Sequence, residues 1–212
     1  PVDNIHVRKA LSWAFDYKTF NNQIETGTEQ SRGPIPKIIA GHNPDVFQYE
    51  KNLEKAKEEL EKSGYEPGEL TINYCYVEGF EMERKLGLMY QADLAEVGIN
   101  LKLQPETWGR ITDLASTVES TPHITAVFSA ANYPDPDNYL YTAYHSSASG
   151  TWMSMEWLQN EEIDQMIMEA RRTLEAEQRN EIYYEIQEKI WRALQVKSLK
   201  MIFHNVLNKK RS

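Results

Sequence analysis

The sequence predicts an α/β domain: a central mixed sheet that contains a βαβ unit and is flanked by helices. Three observations predict it. Leu70 to Val77 is rich in β-branched and aromatic residues and reads as a strand, and Ile99 to Leu103 reads as another. Between them, Glu81 to Glu96 carries Leu86, Met89, Tyr90, Leu94 and, just beyond, Val97 at helical spacing. Joints this short between strand, helix and strand make a right-handed crossover, which requires a parallel pair.

The remaining elements follow in chain order. A helix is predicted to begin near Asp3 or Asn4, either of which can cap its first turn, and to run to just before Thr26-Gly27-Thr28. The loop Ser31-Arg32-Gly33-Pro34-Ile35-Pro36 follows, and then a second loop, Gly41-His42-Asn43-Pro44-Asp45. A charged amphipathic helix is expected over Leu53 to Lys62, closed by Ser63-Gly64, and it is too short for a coiled coil. After the βαβ unit, a helix around Trp108 to Thr117 leads to a strand at Ile124 to Ser129. A long loop is expected from Ala130 to Asn160, then helices at Glu161 to Leu174 and Glu177 to Leu194, and a last strand at Met201 to Leu207. With no internal repeat and no low-complexity linker, residues 1–212 read as one domain.

Composition restricts the function classes. The 212 residues are 41% hydrophobic and 11% aromatic, enough for a self-sufficient core without disulfides or metal. A mean hydropathy of −0.63 and the lack of any apolar run near the roughly 20 residues that span a bilayer argue against a membrane-embedded chain. The 23 Lys and Arg against 32 Asp and Glu give a net charge of −9, which disfavours a nucleic-acid surface. Lys209-Lys210-Arg211 is the one basic cluster. The single cysteine, Cys75, excludes an internal disulfide and a cysteine-rich zinc site. The chain opens at Pro1 without an initiating Met, a charged n-region or an apolar h-region, and reads as a piece of a longer protein.

No catalytic pattern emerges. His6, His42, His123, His145 and His204 lack metal-ligand spacing, and there is no nucleophile elbow, P-loop or dinucleotide fingerprint. Cys75, inside a predicted strand, reads as a buried thiol. The chemistry is concentrated instead between Ser129 and Trp152, after the C-terminal end of a strand, where open α/β sheets place ligands. Within it, Asn132-Tyr133-Pro134-Asp135-Pro136-Asp137-Asn138-Tyr139 offers rings, carboxylates and carboxamides on a proline-stiffened frame. Asp137 and Asn138 read as turn and cap residues, whereas Asn132, Tyr133 and Asp135, first off the strand, read as pocket wall. The start of a calcium loop is imitated at Asp135-x-Asp137-Asn138, but Ser146 stands where the bidentate Glu belongs. Trp13 and Trp191 lie in helical patterns and are expected in the core, Trp157 is expected as satellite packing under the loop, and Trp108 and Trp152 are candidates for a ligand-covered surface.

These residues resemble the extracellular solute-binding proteins, family 5, of ABC transporters. The resemblance begins at Pro1-Val2-Asp3-Asn4-Ile5-His6-Val7-Arg8-Lys9-Ala10-Leu11, and continues through Gly33-Pro34-Ile35-Pro36 and Gln91-Ala92-Asp93-Leu94-Ala95-Glu96-Val97-Gly98-Ile99. It is most specific at Tyr133-Pro134-Asp135-Pro136-Asp137-Asn138-Tyr139-Leu140, followed by His145-Ser146, and it covers nearly the whole chain. It implies a periplasmic-binding-protein-like fold of type II, of which residues 1–212 form the second lobe, excised from a two-lobed receptor. The implied protein is a non-enzymatic importer component that takes a peptide or other polar small solute, without cofactor or metal, and delivers it to a membrane permease. It would be exported, either periplasmic or extracellular, with a lipid anchor as one form of attachment. Its implied partners are the solute, the permease subunits and the first lobe of the same parent, with no nucleic acid. Ligand-sensing modules of transcription regulators share such lobes and form the second hypothesis; a hydrolase is the third.

The expected solute contacts are Trp108 and Tyr133 by stacking, Asn132 to an amine or carbonyl, Asp135 to a donor, Trp152 as an outer wall, and Ser129 beside them. Departures from the family pattern fall at the same place. Where many members carry Gly-Trp-x-x-Asp, this sequence has Phe128-Ser129 and Asn132. A carboxamide hydrogen-bonds an amine but does not neutralise it. No Arg stands near Ala115 and Ser116, where one oligopeptide-binding pattern has one, and Gln195 to Lys200 lacks the usual acidic, proline-containing stretch.

Overall fold

Asn4 starts the first helix, α1 (Ile5–Ala14), by accepting the His6 amide on its side-chain oxygen at 2.9 Å. The computed structural model of the chain describes residues 1–127, 132–197 and 201–204, with side chains over 1–127 and 132–194. Val7, Ala10, Leu11 and Ala14 form the buried stripe of α1. The helix stops earlier than expected, because Phe15 turns extended to reach the core and Asp16 caps a new short helix, α2 (Tyr17–Thr19), which passes into a π turn at Phe20–Ile24. α3 (Leu53–Ser63) is capped by Asn52 and ends on Gly64 in the left-handed conformation.

The βαβ unit is formed by β1 (Thr71–Val77), α4 (Glu81–Ala95) and β2 (Asn100–Glu106), with β1 and β2 paired in parallel from Thr71↔Asn100 to Val77↔Glu106. Gly87 lets α4 lie directly on the strand: a Cβ there would sit 2.6 Å from the ring of the fully buried Tyr74. α5 (Trp108–Leu114) leads to β3 (Ile124–Val127), and the sheet order is β2-β1-β3-β4, with β4 at Met201–His204. All three described pairings are parallel, where a mixed sheet is expected from the sequence. β2 reaches three residues further than expected and includes Pro105, which an edge strand tolerates because one side of its ladder is unpaired.

The expected loop of 130–160 is not one. It contains α6 (Pro136–Tyr144) and a 3₁₀ turn at Ser146–Ala148, followed by α7 (Glu161–Arg172) and α8 (Ala176–Lys197). Pro136, Leu140, Ala143 and Tyr144 give α6 a buried stripe at helical spacing. One core cluster joins α1, α3 and α4 to the sheet through Leu11, Phe15, Leu60, Tyr74, Tyr90 and Leu94. A second joins α6, α7 and α8 through Leu140, Ile163, Ile167, Tyr183, Ile186 and Ile190. A small third cluster, Cys75, Ile111, Ala115, Val127 and Met155, lies on the α5 side of the strands. Arg8, itself buried, ties the chain's start to α8 by donating to the carbonyls of Val2, Asp3 and Leu194.

Trp13 and Trp191 are not core residues as expected. They are half-buried and line a groove of about 620 Å³ with Ile5, Phe47 and Tyr49, where Lys55 Nζ lies 4.2 Å from the centre of the Trp13 ring.

Candidate functional site

Parallel pairing brings the C-terminal ends of β1, β2 and β3 to one edge of the sheet, so the segments that leave them share that edge. From β1 the chain turns through Glu78-Gly79-Phe80; from β2 it passes through Thr107 into Trp108; beyond β3 it reaches Asn132–Asp135 and α6. At about 4.8 Å between strands, the exits of β2 and β3 stand roughly 10 Å apart.

Thr107 caps α5 by accepting the Arg110 amide at 3.3 Å, and this sets Trp108 at the first helical position, 43% exposed. Trp152 meets it edge to face, with ring centroids 5.0 Å apart and planes at 73°. Trp152 packs beneath, against the Cys75, Ile111, Val127 and Met155 cluster, so the deeper indole supports the exposed one. The structure therefore brings together these two residues expected from sequence. Phe80, 51% exposed on the β1 exit, was not expected there; its position immediately after the strand end is the signal that could have found it.

On the β3 side, Asp135 is the N-cap of α6. Its Oδ1 accepts the Asp137 amide at 2.9 Å and the Tyr183 hydroxyl at 3.2 Å, while Pro136 occupies the first turn, where its missing N–H costs nothing. Asp135 thus carries the capping duty that the sequence reading gives to its neighbours. Asn138, buried, accepts the Asn132 amide at 3.1 Å. Asn132 itself is exposed. Tyr133 is 47% exposed and donates its hydroxyl to Asp137 Oδ2 at 2.8 Å, and that carboxylate pushes the tyrosine hydroxyl above its ordinary pKa. Asp137 Oδ1 in turn faces Arg171 Nε at 3.2 Å. Ser129, also expected in the site, lies outside the described residues, as does Phe128.

Sequence reasoning missed Glu83. It is 1% exposed in the first turn of α4, and its Oε2 accepts the amide of Val77, the last residue of β1, at 2.7 Å. Burial pushes this carboxyl up to about 7. Among 32 acids, nothing local marks it, apart from its place at the third helical position after a strand, where a Glu can reach back for an amide.

Burial pushes the Cys75 thiol up to about 12, so no thiolate is available at neutral pH. Among the described residues no group of three His, Cys, Asp or Glu side chains is placed to hold a metal. Asp135 Oδ1 and both oxygens of Asp137 face protein partners. Trp157 is half-buried, with its indole N–H donating to Thr121 Oγ1, between α5 and β3, at 2.9 Å and its backbone at φ 53°.

Comparison with known proteins gives this edge its context. Residues 1–151 match the family described as bacterial extracellular solute-binding proteins, family 5 Middle. The probable D,D-dipeptide-binding periplasmic protein DdpA of Escherichia coli is 27% identical over 189 residues, taking in 88% of this chain and 36% of DdpA. Heme-binding protein A of Haemophilus influenzae is 29% identical over 191 residues, 88% of this chain and 34% of that protein. The ABC transporter-associated periplasmic binding protein DppA from Helicobacter pylori, solved in complex with peptide STSA, matches with a TM-score of 0.78 at 26% identity over 93% of this chain and 38% of that chain. The chain thus spans about a third of the length of these relatives. The family match takes in most of the chain and the fold is that of its solved relatives: the protein belongs to the bacterial extracellular solute-binding proteins, family 5.

Proposed function

We propose that this chain is one lobe of the substrate-binding component of an ABC importer. It takes a peptide or another polar small solute at the C-terminal edge of its sheet, and the other wall of the cleft comes from the first lobe of the same parent. The loaded receptor delivers the solute to its membrane permease from the periplasmic or extracellular side, free or lipid-anchored, and performs no chemistry on it. The observation that carries the reading is the Trp108–Trp152 pair, an exposed indole backed by a half-buried one at a strand-exit edge, in a chain of this family. Trp108 and Tyr133 supply ring faces, Asn132 a carboxamide to an amine or carbonyl, Trp152 a wall that backs Trp108 from beneath, and Ser129 and the Asp135 oxygen that does not cap α6 polar contacts. Phe80 joins the ring faces from the β1 exit.

The test begins with native mass spectrometry of what co-purifies with the two-lobed parent, followed by calorimetry of that solute. Trp108→Ala in the parent is expected to lower affinity at least about 10-fold, the scale of losing one well-placed aromatic contact, with stability changed by less than about 1 kcal/mol because the ring is exposed. Unchanged affinity removes this edge as the solute wall. The chain alone, lacking the facing wall and its exclusion of water, is expected to bind very weakly. Micromolar binding to the isolated chain would contradict that.

A further inference from the structure

We propose that Arg171 and Asp137 are positioning residues that lock the exposed Tyr133 ring in one orientation, so that the loop before α6 meets its solute with a preset stacking face. The proposal rests on the reading of Tyr133 as a solute contact, and it adds two residues that touch no solute.

The coupling runs through three segments. Tyr133, in the loop, donates its hydroxyl to Asp137 Oδ2 in α6 at 2.8 Å. The Asp137 side chain is only 14% exposed, and its other oxygen is buried and accepts no hydrogen bond. Facing that oxygen is the Arg171 guanidinium of α7, with Nε at 3.2 Å. Arg171 is itself oriented by the Tyr141 ring, 4.4 Å from its guanidinium carbon. Backbone bonds hold the other end of Tyr133: the Asp135 amide donates to the Tyr133 carbonyl at 2.9 Å, and the Asn132 amide to Asn138 Oδ1 at 3.1 Å.

An exposed tyrosine that rotates freely loses rotamer freedom when a solute stacks on it, and a ring tethered at its hydroxyl has already lost it. The tether holds only while the carboxylate stays put. Removing Arg171 leaves a buried carboxylate oxygen without its counter-charge, and the carboxylate then turns toward water and releases Tyr133. With its hydroxyl hydrogen bond directed to Asp137, the ring offers the solute its face rather than a donor.

The first measurement is ring relaxation of ¹³C-labelled tyrosines in this chain, which needs no solute. Tyr133 is expected to be as ordered as the buried Tyr183 in the wild type, to become mobile in Arg171→Gln, and to recover in part in Arg171→Lys, whose point charge replaces the planar one. If Arg171→Gln fails to fold, the lysine variant carries the comparison and should show intermediate mobility. A Tyr133 ring equally ordered with and without Arg171 overturns the proposal. The second measurement is affinity of the two-lobed parent for the tetrapeptide STSA. Arg171→Gln and Tyr133→Phe should each lower it about 3- to 10-fold, the scale of ordering one side chain on binding. The double variant should lose no more than Tyr133→Phe alone. Losses that multiply overturn the coupling. If the parent binds no STSA at all, that peptide falls as its solute, and the ring measurement alone decides whether Arg171 holds Tyr133.

Discussion

Glu83 makes the stability of this protein depend on pH in a direction opposite to that of most carboxylates. Its carboxyl is 1% exposed and accepts the Val77 amide, but burial outweighs that bond and raises it from 4.5 to about 7. Below the unfolded value both states are protonated and the group is neutral in either. As pH rises from about 4.5 to 7, the unfolded chain releases the proton and the folded chain keeps it, so stability falls; above 7 both are ionised and the full cost is in place. At about 1.4 kcal/mol per pH unit, the interval corresponds to about 3 kcal/mol. Glu83→Gln keeps an acceptor for the Val77 amide and removes the titration. Urea unfolding followed by tryptophan fluorescence at pH 4 and pH 8.5 measures both proteins. The variant is expected to gain about 3 kcal/mol relative to wild type between the two pH values. A difference between the two proteins that is the same at both pH values would falsify the assignment, since a solvated carboxyl would give that result.

Two further perturbations test the packing behind the site. Gly87→Ala places a methyl 2.6 Å from the Tyr74 ring, whose hydroxyl is also fixed on the Glu83 carbonyl at 2.8 Å, so α4 must lift from β1. A loss of about 1–3 kcal/mol in thermal or urea unfolding is expected, the scale of overpacking, and a neutral outcome would mean that the helix is free to shift. Cys75, fully buried and with its thiol pushed up to about 12, should stay unlabelled by an aromatic disulfide reagent at pH 8 in the native protein and react at once in urea. Rapid native labelling would place it at the surface.

Local pattern was enough for the βαβ unit, because each of its parts announces itself: a first strand rich in β-branched and aromatic residues, a 3.6-residue stripe, and Gly98 ahead of the alternating Ile99-Asn100-Leu101-Lys102-Leu103. It was not enough for α6. Prolines 134 and 136 with three Asx residues have the composition of a loop, yet Asp135-Pro136 is also a cap followed by a first-turn proline, and the stripe Pro136, Leu140, Ala143, Tyr144 was there to be counted. At the end of α1 the reverse holds, since Phe20 and Ile24 prolong the apolar spacing past the break and only the tertiary demand on Phe15 explains the turn. Trp13 and Trp191 have core spacing on their own helices; that their outer sides border a groove depends on where α1, α8 and the segment bearing Phe47 meet.

For the candidate site, the sequence lists the groups able to bind, and the structure decides which are already committed. Read as a string, Asn132 to Asn138 offers two carboxylates and two carboxamides to a solute. In the folded chain Asp135 caps α6 and holds Tyr183, Asp137 lies between Tyr133 and Arg171, and Asn138 is buried on the Asn132 amide. Among the described residues the edge exposes three rings, Phe80, Trp108 and Tyr133, and the side chain of Asn132, beside the charged Glu78 on the β1 exit and Arg110 in the first turn of α5. Ring faces gain little from a solute while water still covers its other side, whereas a free carboxylate would attract an amine even on an open surface. The ring part of this edge therefore depends on a second wall for its affinity, so that closure should govern the stacking contacts, while Glu78 and Arg110 can act on a charged solute before the cleft closes.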